Sequence, residues 1–180
     1  MNMPEAFLRF FSGLPGELYV FLISMLPIVE LRGSIPTGAA IGLPFYLNYL
    51  ISVIGNMLPV PLILLFIPRV LGFLDKFKTT RPMVLWIKGR ADKKKGRVPV
   101  DGVENAKGLY KMSKRAFCAL ALFVAIPLPG TGAWMGSLIA SLLRLPKRES
   151  FLAVLIGVML SGIVMSLASY GVIGFLKIFI

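Results

Sequence analysis

The stretch "LPIVELRGSIPTGAAIGL", residues 26–43, puts a carboxylate and a guanidinium, Glu30 and Arg32, inside an apolar run. It then interrupts that run with Gly33, Pro36, Gly38 and Gly42. Proline withholds a backbone donor and glycine favours turns, so this arm does not read as one uninterrupted helix. Residues 126–143, "IPLPGTGAWMGSLIASLL", are broken in the same way but carry no charge. Each arm is followed by a longer apolar segment, 45–74 and 147–180. At about 1.5 Å per residue, both segments are long enough to cross about 30 Å of hydrocarbon. How the two broken arms are disposed decides the fold.

The arms belong to a repeat. Sliding the chain by 102 residues aligns 21–77 with 123–179 without a gap, giving 16 identities in 57 positions. Leu26-Pro27 falls on Leu128-Pro129, Leu43-Pro44 on Leu145-Pro146, and Ile54-Gly55 on Ile156-Gly157. Internal duplication of this kind is the expected build of a secondary transporter.

Composition points the same way. The chain is 57% hydrophobic, with a mean hydropathy of +0.82. Soluble domains average about 45–50% apolar residues. An all-α integral membrane protein is therefore expected, multi-pass and in the cell membrane. The opening residues 1–17 lack the basic start and small-residue cleavage site of a signal peptide, and read as a retained interfacial segment. Of the 20 Lys and Arg, 13 lie within 76–115, including "KGRADKKKGR" at 88–97. The net charge of +12 thus comes mostly from one linker. Such a linker reads as a cytoplasmic loop resting on anionic lipid headgroups, with no nucleic-acid role.

Two topologies compete for the arms. Four plain spans would put Arg144, Lys147 and Arg148 opposite the basic linker. Re-entrant hairpins, at 18–43 and 116–145, leave one transmembrane helix per repeat, at 45–74 and 147–180. Repeat 1 is then 18–75 and repeat 2 is 116–180, and 17 of the 20 basic residues become cytoplasmic. The positive-inside rule favours this second arrangement, in which the two repeats are inverted. Broken backbone at membrane depth survives only where protein or a watery cavity covers it. Two long helices cover little, so a homodimer is expected, with Gly157, Ser161 and Ser166 as a surface for close helix approach.

Glu30 and Arg32 are the only charges inside the arms or long helices away from their ends. A charge at the bilayer centre costs about 2.5–3.5 kcal/mol on insertion scales. Either the two form a structural ion pair at a hairpin tip, or Glu30 is a protonatable coupling group and Arg32 binds an anion. Gly33 and Pro36 add exposed backbone to the first tip. The second tip, Pro127, Pro129, Gly130, Thr131 and Gly132, has only backbone amides and the Thr131 hydroxyl for an anion, with Trp134 as packing or lid. Asn56 is the candidate for a hydrogen bond across helices.

Several function classes drop out. There is no histidine, Cys118 is the lone cysteine, and the eight carboxylates are scattered. No catalytic triad, paired-carboxylate site, metal-ligand spacing or cofactor motif can be drawn from them, so an enzyme is not expected.

"ELRGSIPTGAAIG" at 30–42 and "IPLPGTGAWMGSLIA" at 126–140 resemble the family of putative small multidrug export proteins, itself similar to a compact relative of the DedA-like (VTT-domain) membrane proteins. The resemblance covers about 18–176. It implies two re-entrant hairpins in inverted repeats, driven by the proton gradient. Several DedA-like proteins are associated with moving lipid phosphates, including the polyprenyl carrier, across the bilayer. Glu30 matches the acidic residue of their first hairpin, and Pro129-Gly130 the Pro-Gly turn of their second. This chain departs from them just after that turn, where Thr131-Gly132-Ala133 stands in place of an arginine.

The leading expectation is a small proton-coupled secondary transporter that exports amphipathic or anionic small molecules. Its rivals are a translocase of lipid phosphates and a non-transporting scaffold that recruits partners through the linker. The last leaves the two intramembrane charges unexplained.

Overall fold

The computed structural model describes residues 14–74, 103–104, 110–128 and 130–179. The expectations for residues 1–13, for most of the basic linker 76–115 and for Pro129 lie outside those residues.

The broken arms fold as helix–turn–helix pairs. The first is α1 (Gly16–Ser24) and α2 (Glu30–Ala40), packed on each other. The second is α5 (Lys114–Ala125) and α6 (Ala133–Leu142). Between them run α3 (Phe45–Met57), α4 (Pro59–Leu74) and two antiparallel two-residue strands, β1 (Val103–Glu104) and β2 (Tyr110–Lys111). The last helix, α7 (Lys147–Phe179), is 33 residues long. Among the described residues the regular structure is helical apart from that small ladder.

The expected long segment 45–74 is divided at Leu58. Pro59 and Pro61 each lack the amide that would continue the helical ladder, so one turn yields. The apolar span nevertheless continues across the break, over Phe45–Ile67, and a second covers Lys147–Gly171.

Two compact units result, one within residues 1–56 and 162–180 and the other within 57–161. The first contains α1, α2, α3 and the last part of α7. There Phe45 packs its ring edge-on against Tyr170, with centroids 5.4 Å apart. Further along α3, Tyr49 lies 2.8 Å from where a Cβ on Gly162 would stand. The order 45 to 49 against 170 to 162 makes these two helical stretches antiparallel. The second unit contains α4, α5, α6 and the first part of α7, with α6 packed on both α4 and α5.

Local details recur at the 102-residue offset. Gly42 and Arg144 both take positive φ, 83° and 54°, at the ends of α2 and α6. Leu43 N donates to Gly38 O, and Leu145 N to Ala140 O, each at 2.9 Å. These bonds close the helix ends in the Schellman manner. Pro44 and Pro146 then open the next helices by accepting from Asn48 N and Ser150 N. Two glycines let helices meet. A Cβ on Gly55 would run into the Ser24 side chain, and one on Gly157 would lie 2.6 Å from the Ala121 carbonyl oxygen.

The long helices are inside out by the standard of a soluble domain. On α3 and α4, Leu50, Ile54, Leu58 and Leu62 are 45–58% exposed at four-residue spacing. Asn48, Ser52 and Asn56, at the same spacing, are at most 1% exposed. On α7, Leu152, Ile156, Leu160, Ile163 and Leu167 form the outer stripe, while Ser150, Ser161 and Ser166 are buried. A helix surrounded by water turns the opposite face outward. Gly157, Ser161 and Ser166, expected to receive a helix of a second copy, are covered by their own chain. At Gly157 the cover is α5, whose Ala121 and Val124 sit against it.

Candidate functional site

Glu30 begins α2, and its backbone lies in the left-handed region, with φ 48°. Its amide donates to Leu26 O at 3.0 Å, closing the turn Leu26–Val29, and Gly33 N donates to Val29 O to start the helix. Glu30 is therefore the pivot between a tight turn and α2. A glutamate rarely adopts this conformation, which costs of the order of 1–3 kcal/mol when surrounding structure imposes it. The side chain is 6% exposed. Arg32, two residues on, is half-buried and near enough to Glu30 to feel its charge.

Around this pair the arm is built from small residues for contact reasons. The Val29 side chain occupies the space a Cβ on Gly33 would need. Thr37 Oγ1 donates to Gly33 O at 2.7 Å. Pro36 sits inside α2, where it supplies no amide to the ladder and loosens the helix beside the pair.

A buried polar chain runs behind the arm, and sequence reasoning did not single it out. Ser34 Oγ donates to Ser52 Oγ at 2.9 Å, and Ser52 Oγ to Asn48 Oδ1 at 3.4 Å. Asn48 Nδ2 donates to Ile35 O at 2.8 Å and to the Tyr170 hydroxyl at 3.0 Å. That hydroxyl donates to Leu43 O at 2.7 Å. The donors run in one consistent direction, joining α2, α3 and α7 inside one unit. Asn48 reaches α2 because Gly38 has no Cβ to obstruct its amide. The available signal was Asn48, Ser52 and Asn56 at four-residue spacing in an otherwise apolar helix. Asn56 does not complete a bond through its carbonyl oxygen, which is buried and without a partner among the described residues. The bond across helices expected of it is made by Asn48.

The second tip lies in the other unit. Gly130 takes φ 79° with nothing within 4 Å of a Cβ position, a conformation and a space that suit a turn. Thr131 is 8% exposed. Its hydroxyl points at Ile126 O and Leu128 O, at 2.7 and 2.8 Å, and so braces the turn itself. Gly132 caps α6 in an extended conformation, and Gly136 N donates to its carbonyl at 2.8 Å. Pro127 and Trp134 are half-buried. Glu30, Arg32, Gly33 and Pro36 thus share one unit, and Pro127, Gly130, Thr131, Gly132 and Trp134 share the other. Among the described residues, no group of three His, Cys, Asp or Glu could hold a metal ion.

A family model described as "Putative small multi-drug export protein" matches residues 30–164, from the pivot glutamate to well inside α7. The chain belongs to this family. The match runs through both tips and the first long segment, and ends inside α7, beyond the close approach at Gly157. With its two apolar spans, exposed Leu/Ile stripes and buried Asn and Ser, this is a membrane protein. Among curated proteins and among solved structures, none matches the chain.

Proposed function

We propose that this protein is a proton-coupled secondary transporter that exports amphipathic or anionic small molecules, and not an enzyme. One observation carries the reading: a buried glutamate held in a strained backbone conformation at a break in an apolar arm, with an arginine beside it. Structure that merely fills space does not hold a charge and a strained backbone together, because an apolar residue is cheaper to bury. Glu30 takes and releases the coupling proton. Arg32 attracts the anionic part of the substrate while Glu30 is neutral, and Glu30 competes for it when ionised. Gly33 and Pro36 bind substrate beside Arg32 in the first unit, and Pro127, Pro129, Gly130, Thr131, Gly132 and Trp134 are the substrate-binding residues of the second.

The finer architecture is part of the same proposal. The arms are re-entrant hairpins in inverted repeats, and the DedA-like kinship is real. Support comes from the matched helix ends at Gly42 and Arg144, and from the antiparallel run of α3 against the end of α7 within one unit. The homodimer stays in the proposal with its contact moved to the exposed stripe of α7, through Ile156 and Ile163.

Reconstituted liposomes with an imposed pH gradient test it, using a fluorescent cationic drug and an anionic amphiphile as cargo. Wild-type protein should move at least one of them only when the gradient is present. Glu30→Gln should reduce uptake at least tenfold with unchanged insertion and folding. Gradient-driven uptake by the glutamine variant at the wild-type rate would remove Glu30 from the mechanism.

A further inference from the structure

A groove of ≈ 400 Å³ lies within the second unit, between the start of α4 and the start of α7. Leu64, Leu65, Phe151 and Leu152 wall it, and Lys147 and Arg148 stand at one end. Leu65 and Leu152 are 39% and 50% exposed, and both cations are exposed, so the groove is reached from outside. None of these residues belongs to the transport path proposed above. We propose that this groove binds one anionic phospholipid, its phosphate between Lys147 and Arg148 and an acyl chain along the leucine wall.

Charge and shape both select that occupant. The walls are almost wholly apolar and suit a hydrocarbon chain, whereas the cations need an anion at the same end. The first turn of α7 adds the positive end of its helix dipole and amide groups that point outward. Glu149, the carboxylate on the same turn of α7, is otherwise engaged. Glu149 Oε2 accepts the Met112 amide at 2.5 Å, which ties it to the chain leading into α5. The other repeat provides an internal comparison. At the positions 102 residues earlier stand Phe45 and Tyr46, and the Phe45 ring packs on Tyr170. One repeat places its own aromatic ring where the other presents cations.

The test reads binding and does not depend on transport. Purified full-length protein is mixed with equimolar phosphatidylglycerol and phosphatidylcholine vesicles, re-isolated, and its retained lipid counted by mass spectrometry. Phosphatidylglycerol should be enriched on the wild type. The double variant Lys147→Gln, Arg148→Gln should lower its retention about thirty-fold, from two surface charges of about fivefold each. Leu152→Trp keeps the charges but fills the groove, and should lower retention similarly. If that variant misfolds, Leu65→Trp takes its place. Ile54→Trp, on the exposed face of α3 and outside the groove, should change retention less than twofold. Equal retention of the two lipids, or a loss from the Ile54 variant as large as from the groove variants, would overturn the proposal.

Discussion

Glu30 combines two properties that need separate tests: a titratable carboxyl and a left-handed backbone. Glycine adopts φ 48° without the steric cost that a Cβ imposes. Glu30→Gly should therefore stabilise the folded protein by about 1 kcal/mol, before any loss of side-chain contacts. Thermal unfolding followed by retention of soluble protein in detergent would show the rise, and transport should still be lost. Glu30→Gln keeps the strain and removes only the charge, so its stability should stay near that of the wild type. A glycine variant that unfolds earlier than the glutamine variant would mean that contacts of the carboxyl outweigh the strain. Arg32 is legible as its partner from the two-residue spacing alone. The positive φ is not, because glutamate has no preference that would announce it.

Helix α2 is held to α3 through Asn48, and the geometry depends on an absent side chain. Gly38→Ala would put a methyl group in the space of the Asn48 amide. Asn48 would have to turn away and leave the bonds to Ile35 O and the Tyr170 hydroxyl. Losing one or two buried bonds costs about 2–4 kcal/mol, which a fluorescence-based melting assay should record as a fall in unfolding temperature. Tyr170→Phe removes only the hydroxyl between Asn48 and Leu43 O and should cost about 1–2 kcal/mol. A Gly38→Ala variant as stable as the wild type would mean that α2 shifts freely relative to α3. At this scale the chain was partly readable. Both arms appear as helix pairs where glycine and proline break the apolar run, and each long helix starts after the proline that follows its arm. The break at Leu58 was missed, although Pro59 and Pro61 stand in the sequence as its cause.

Across the whole molecule, the proposed topology rests on charge placement and has a direct test. Single cysteines at Lys94 or Lys147 should react only with a label added from the cytoplasmic side, and a cysteine at Ile180 only from outside. Labelling of position 147 from outside would replace the re-entrant hairpins with four plain spans. For the homodimer, a cysteine at Ile156, 42% exposed on the outer stripe of α7, should crosslink two copies in native membranes. Active protein that stays monomeric at all such positions would leave that stripe to lipid.

Membrane residence, the duplication and the position of the charged pair were all written in the sequence. They depend on composition and spacing, which need no folded partner to be read: long apolar segments, matching landmarks 102 residues apart, and two charges in a greasy arm. The tertiary structure decided which faces meet. Gly157 could have served a second copy as well as its own chain, and the close approach of α5 there decided for the chain's own packing. The polar chain from Ser34 to Tyr170 joins residues up to 136 positions apart. Local propensity carries no trace of such a pairing. It exists because buried donors and acceptors must find one another once two apolar helices have been brought together.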